Sequence, residues 1–218
     1  MKVLLIRHGE SIQNTKENFE LRLPDHSVYL TAKGKEEADK AGKFLKEYCK
    51  SNNIDLDNSI LWLSPFKRTR QTKDIINSHL NISRVIEDTS IVEQSYGVCS
   101  LFDKDEMRKQ YPYEFKLRDA CYENEGKFYA KYPLGESPFD VAMRTKFFIE
   151  ELYREGDKTH FVISHGVAIR TIVMNLMHYT VEWYNKEINP SNCSIRLIDP
   201  EILVDEYIYN KPKVKVKK

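Results

Sequence analysis

The string Ile6-Arg7-His8-Gly9-Glu10-Ser11 follows directly on the apolar run Val3-Leu4-Leu5, which reads as a buried strand. An arginine and a histidine thus stand where a first strand ends, the place where an open α/β sheet keeps its active site. Two more apolar runs end the same way: 60–63 leads into Ser64-Pro65-Phe66-Lys67-Arg68, and 161–163 into Ser164-His165-Gly166. A single strand-end histidine is more often structural than catalytic, but Arg7, His8, Arg68 and His165 together point to an anion site. The chemistry that fits is attack on a phosphate monoester. Such an ester resists hydrolysis because its oxygens repel an anionic nucleophile and its alkoxide leaves poorly. A neutral imidazole escapes the repulsion, arginine forks neutralise the oxygens, and a carboxylic acid protonates the departing group. On this reading His8 is the nucleophile and Arg7 and Arg68 clamp the phosphate. His165 is a further donor at the transition-state oxygens, with Asn14 a neutral donor beside them.

The string Arg7-His8-Gly9-Glu10 resembles the signature of the histidine phosphatase superfamily, which includes cofactor-dependent phosphoglycerate mutases, fructose-2,6-bisphosphatase and acid phosphatases. Ser64-Pro65-Phe66-Lys67-Arg68-Thr69-Arg70-Gln71-Thr72 is similar to the family's second motif, whose arginine three residues after the proline falls on Arg68. Val162-Ile163-Ser164-His165-Gly166 is similar to its late histidine motif, and Ile91-Val92-Glu93-Gln94-Ser95-Tyr96-Gly97 to the segment carrying its proton donor, which lands on Glu93. The resemblance runs over about residues 1–200, in the family's order. It implies a phosphatase working through a phosphohistidine on His8, with Glu93 as proton donor.

Within the family, Gly97-Val98-Cys99, Tyr111-Pro112, Leu117-Arg118-Asp119, Tyr132-Pro133 and Gly135-Glu136-Ser137 are similar in content and order to fructose-2,6-bisphosphatase. That resemblance implies that Arg118, Lys127 and Arg170 hold the 6-phosphate of a sugar bisphosphate. The chain departs from the pattern at Lys104 and Pro138, where tyrosines are expected, and at Gly166, where a glutamine is expected. About five extra residues lie between Asp119 and Lys127. No Walker A string occurs in these residues, so the kinase half of a two-headed enzyme is not expected. Two alternatives stay open. A phosphoglycerate mutase shares Glu-x-x-Tyr-Gly, here Glu93 to Gly97, but has an Arg-Arg-Ser-Tyr element whose counterpart here is Leu117-Arg118-Asp119. A non-catalytic sensor of phosphorylated ligands would have no reason to retain both nucleophile and proton donor.

The elements that must position these residues are legible from periodicity. Residues 31–51 carry Ala38, Ala41, Leu45 and Tyr48 at helical spacing behind a charged face, an amphipathic helix over one side of the sheet. A second helix starts at Ser137-Pro138 with Asp140 in its first turn, presents Val141, Phe148 and Leu152, and stops at Gly156. Ser64-Pro65 reads as an N-cap and first turn, and Glu10 and Ser11 shape a helix start. Residues 194–198 and 202–208 read as terminal strands at the sheet edge. Strands alternating with helices give an α/β fold, a mainly parallel central sheet with helices on both faces. We expect one catalytic domain over 1–209 and a mobile lysine-rich tail over 210–218.

Composition narrows the partners. The 218 residues are 41% hydrophobic, with 34 basic and 33 acidic side chains and a net charge of +1. Bulk charge draws such a chain neither to nucleic acid nor to a membrane surface, so the expected partner is a small phosphorylated metabolite, with a homodimer left open. Cys49, Cys99, Cys121 and Cys193 are scattered with no CxxC pair, as in reduced thiols. No leader or apolar span is visible, and a cytoplasmic location is expected. His26, His79, His160 and His178 match no motif and have no metal-ligand spacing, so neither metal nor cofactor is expected.

Overall fold

The apolar runs at 3–6, 60–63 and 161–163 are the middle of the sheet. In the computed structural model, which describes residues 1–15, 23–100 and 104–213, they belong to Lys2–Arg7 (β1), Ser59–Leu63 (β2) and Thr159–Ser164 (β4). Arg84–Glu87 (β3), Ile195–Asp199 (β5) and Val204–Tyr209 (β6) complete a six-stranded sheet of order β3-β2-β4-β1-β5-β6. The first four strands in that order are parallel, while β5 and β6 run antiparallel to their neighbours.

Because side chains alternate across a strand, each central strand feeds two cores. Val3, Leu5, Ile60, Trp62 and Val162 pack on one face against Phe148 and Leu152 of the helix Pro138–Arg154 (α5) and Ile169 and Ile172 of Gly166–Leu176 (α6). Leu4, Ile6, Leu61, Leu63, Phe161 and Ile163 pack on the other against Ala38, Ala41 and Leu45 of Ala32–Ser51 (α1) and Ile76 and Leu80 of Lys67–Leu80 (α2). The expected two-faced α/β sandwich is what forms. Thr31 caps α1 by accepting from the Gly34 amide, and Ser137 and Asp140 cap α5 reciprocally, the local chemistry that starts both helices where the sequence indicates.

The structure corrects three expectations. Ser64-Pro65 is not a helix cap: α2 begins at Lys67 with Phe66 at its N-cap, and the serine hydroxyl is used elsewhere. Strand β5 is not at the edge but pairs with β1, leaving only β6 outermost on that side. Strand β3 and the helices Lys104–Gln110 (α3), Pro112–Glu125 (α4) and Val181–Lys186 (α7) were not anticipated. Beyond Lys213 the expected tail lies outside the described residues.

Register places the chemistry. Arg7 pairs with Ser164, and Leu63 with Ile163, so the three strands end level. The ladder then continues one rung further, from His8 N to Ser164 O at 3.0 Å and from Ser64 N to Ile163 O at 3.1 Å. Residues 96–135 leave this edge as an excursion carrying α3 and α4. Its base is pinched shut by Glu136 N to Ser95 O and Ser95 N to Glu136 Oε2, both 2.8 Å. Gly97 is required there: its φ is +54°, and a Cβ would lie 2.1 Å from the Pro133 carbonyl oxygen.

Candidate active site

His8 is the first residue past β1 and only 3% exposed. Its Nδ1 lies 2.7 Å from the Gly9 carbonyl oxygen. A carbonyl can only accept, so Nδ1 carries the proton and Nε2 the lone pair. Burial, followed by the positive fields of Arg68 and Arg7, holds this imidazole well below its ordinary range, so the ring is neutral. The His165 ring lies edge-on to it at a centroid distance of 5.1 Å.

Arg68 is fully buried. Its Nε donates to His165 Nδ1 at 3.2 Å, and its Nη1 donates to both the carbonyl and the carboxylate Oδ1 of Asp25, at 2.8 and 2.7 Å. A guanidinium has no acceptor, so His165 Nδ1 must accept and its Nε2 must carry the proton, which goes to Ser64 Oγ at 2.8 Å. Burial, then Arg68, His8 and Arg7, keep His165 neutral as well. Both ring nitrogens are engaged, one with Arg68 and the other with Ser64, so His165 orients the Arg68 guanidinium. The remaining amino group of Arg68, Nη2, is buried without a partner among the described residues.

Arg7 is anchored by Nη1 to the Pro190 carbonyl at 2.7 Å, and its buried Nε is unpartnered among the described residues. Burial lowers its guanidinium and Arg68 adds to this, while Glu93 opposes them. The Glu93 carboxylate is fixed at the start of α6, where Oε1 accepts from Gln94 N at 2.9 Å and Val167 N at 3.1 Å. Arg144 of α5 holds the same segment through the carbonyls of Ser90 and Glu93. Asn14 is at the rim, exposed, its Oδ1 accepting from Ser11 N at 3.0 Å as the reciprocal cap of a short turn. Asn192 links it to the His8 carbonyl. Glu10 pairs with Lys33 at 2.6 Å, away from the chemistry.

Beside this site lies a cavity of about 310 Å³ whose wall includes Arg118, Lys127 and Arg170 together with Tyr96, Tyr132 and Asn189. It is contiguous with the Glu93 carboxylate's setting, because Gln94 and Val167, whose amides hold Glu93, also line it. Arg170 donates to Tyr184 Oη at 2.9 Å and to the Glu187 carbonyl at 3.1 Å, with its guanidinium carbon 4.4 Å from the centre of the Tyr184 ring. Arg118 stacks on Tyr132 at 4.2 Å. The Nε groups of both arginines are buried and unpartnered among the described residues. Burial and the neighbouring Arg170 lower the Lys127 ammonium, while Arg118 pairs with the Asp119 carboxylate at 3.3 Å.

Sequence reasoning missed Ser64, Asp25, Arg144 and Tyr184. Ser64 lies inside a motif, but before a proline it reads as a cap. Asp25 is separated from Arg68 by a helix and a strand, and no periodicity signals that contact. Arg144 is an inward arginine on an otherwise apolar helix face, which was a readable oddity. The four cysteines carry free thiols. No helix among the described residues is long and apolar enough to cross a membrane.

The model of the histidine phosphatase superfamily (branch 1) matches residues 3–202. The phosphoglycerate mutase-like protein AT74 of Arabidopsis thaliana is 31% identical over 213 residues, covering 91% of this chain and 64% of that protein. The fructose-2,6-bisphosphatase of Saccharomyces cerevisiae is 30% identical over 180 residues, covering 83% of this chain and 35% of that one. The chain thus spans less than two thirds of the length of either relative. Among solved structures, mycobacterial glucosyl-3-phosphoglycerate phosphatase superposes with a TM-score of 0.72 at 18% identity, covering 97% of this chain and 99% of that one. The alpha-ribazole phosphatase of Shigella flexneri does so with 0.72 at 18%, covering 91% and 90%. At such identities these likenesses speak for the fold alone. Strand-end motifs, sheet order and family match agree, and the chain belongs to branch 1 of the histidine phosphatase superfamily.

Proposed function

We infer that this chain is a metal-independent phosphatase that hydrolyses phosphate monoesters through a phosphohistidine on His8, acting on small phosphorylated metabolites such as sugar bisphosphates. The observation that carries the reading is the state of His8: neutral, its proton fixed on Nδ1, beside an arginine with an unspent buried amino group. In the first step Nε2 attacks phosphorus, forming an N–P bond as the P–O ester bond breaks. Arg7 and Arg68 bear the phosphoryl charge, and a protonated Glu93 gives its proton to the departing alkoxide. In the second step Glu93 takes a proton from water, the water oxygen bonds to phosphorus, and the N–P bond breaks to release phosphate and regenerate His8. The cationic cavity beside Glu93 supports a substrate with a second anionic group, held by Arg118, Lys127 and Arg170. Scattered free thiols support a cytoplasmic setting, and the paired cores support one catalytic domain over 1–209.

Acid quenching during turnover should trap an acid-labile phosphoenzyme that His8→Ala does not form, and a chelator should leave the rate unchanged. Full activity in His8→Ala would overturn the mechanism. Phosphate released from fructose-2,6-bisphosphate, and not merely moved between positions on phosphoglycerates, would separate hydrolysis from mutase chemistry.

A further inference from the structure

Residue 166, directly after His165, is a glycine with no steric need to be one for its backbone: it is the first residue of α6 and its φ is not positive. The space its side chain would fill is occupied. A Cβ at Gly166 would lie 3.2 Å from Oδ1, 3.3 Å from Cγ and 3.6 Å from Nδ2 of Asn189, so the amide of Asn189 stands over the start of α6 in place of a side chain from the helix itself. The amide joins no hydrogen bond among the described residues, and Asn189 lines the same cavity as Arg118, Lys127 and Arg170. Along α6 the adjacent Val167 amide holds Glu93, and Arg170 follows one turn later. Asn189 therefore shares one cavity wall with Val167, whose amide holds Glu93, and with the remote cations.

We propose that Asn189 is a specificity-determining residue that hydrogen-bonds a hydroxyl on the carbon skeleton linking the two anionic groups of the substrate. An amide both donates and accepts, which matches a hydroxyl, whereas a phosphate dianion only accepts and is served by three cations already. The substrate class is accordingly a phosphorylated polyol or sugar rather than a simple alkyl bisphosphate. This rests on the second anion pocket proposed above, but it is tested by binding, which does not need the phosphohistidine.

In full-length His8→Ala protein, the affinity for a hexose bisphosphate and for an alkanediol bisphosphate of similar span is measured by calorimetry, with and without Asn189→Ala. Loss of one hydrogen bond should weaken the hexose ligand about fivefold to tenfold and move the alkanediol ligand less than twofold. Asn189→Asp should weaken both, because its carboxylate repels the phosphates. Gly166→Ala supplies a second route, since its methyl group displaces the amide: it should weaken hexose binding alone and add nothing in an Asn189→Ala background. Equal loss for both ligands in Asn189→Ala, or no loss for the hexose, overturns the proposal. Failure to trap a phosphoenzyme would instead strike the mechanism and leave the role of Asn189 standing.

Discussion

Nε2 of His165 donates to the Ser64 hydroxyl over 2.8 Å, and the other nitrogen of that ring accepts from Arg68. The serine thus fixes an imidazole that fixes a guanidinium. Replacing Ser64 by Ala leaves a buried N–H without an acceptor, at a cost of about 1–3 kcal/mol. We expect Ser64→Ala to lower both the melting temperature and kcat, and Ser64→Thr to retain most of each. Wild-type kcat in Ser64→Ala would show that the ring is held by other means.

Arg68→Ala should lose about 2.7–4 kcal/mol of transition-state stabilisation, as when one oxyanion donor is removed. Its neighbours are the internal controls. Lys67 lies 5.4 Å over the Tyr29 ring, and Arg70 forms a two-pronged pair with Glu87. Alanine at either should change kcat/KM by less than about threefold, a small fraction of the Arg68 effect. Equal defects at all three positions would mean a diffuse basic surface.

Glu93→Gln keeps the size and the backbone contacts of the carboxylate but removes its proton transfer. Alkyl phosphates should then slow far more than p-nitrophenyl phosphate, whose nitrophenolate leaves without an acid. Comparing kcat for the two substrate types decides the matter, and equal slowing removes Glu93 from the donor role.

On the proposed function Arg118, Lys127 and Arg170 hold a group remote from the bond that breaks, so their loss should appear first as a raised KM for a bisphosphate. Arg118→Ala tests this most cleanly, since its guanidinium stacks on an aromatic ring rather than tying two elements together. Arg170→Ala should in addition lower the melting temperature, because it also strips Tyr184 and the Glu187 carbonyl of their donor. If Arg118→Ala slows p-nitrophenyl phosphate as much as a bisphosphate, the pocket is not a substrate site.

His160, a buried residue of strand β4, accepts from the Trp62 indole at 3.1 Å. Burial lowers its pKa to about 4 from 6.5. Because the folded value is the lower one, the unfolded chain binds the extra proton first. Stability is therefore whole above pH 6.5 and declines as pH falls toward 4, by about 3 kcal/mol from this residue. His8 and His165 are lowered in the same direction, so His160→Gln, which retains an acceptor for the indole, should reduce the pH slope of the urea midpoint by about one proton without abolishing it.

The parts legible from sequence were those in which one chain segment contains its own explanation. The central strands announce themselves because both faces are buried, and each ends on its motif. Helices α1 and α5 carry a stripe and a cap within their own residues. Strand β3 does not, since only one of its four residues is even half-buried, and α4 has a weak apolar stripe with Phe115 its one buried side chain. The contacts of Asp25 with Arg68 and of Asn189 with Gly166 join segments whose approach is set by the sheet, not by local pattern. Arg118, Lys127 and Arg170 came from resemblance, for nothing in their spacing indicates that a helix, the turn after it and a second helix converge on one cavity.

The pinch between Ser95 and Glu136 separates two kinds of inheritance in this chain. His8, Arg68 and His165 sit on strand ends whose positions are dictated by the sheet, whereas Arg118 and Lys127 ride on an excursion whose two ends are tied to each other. Lengthening or reshaping that excursion, as the extra residues before Lys127 already do, need not displace His8, Arg68 or His165, because its two ends are joined to each other at the base. On the proposed function, substrate preference can then drift while the residues at the strand ends stay fixed, and grafting the segment 96–135 between relatives would exchange the part of that preference carried by Arg118 and Lys127.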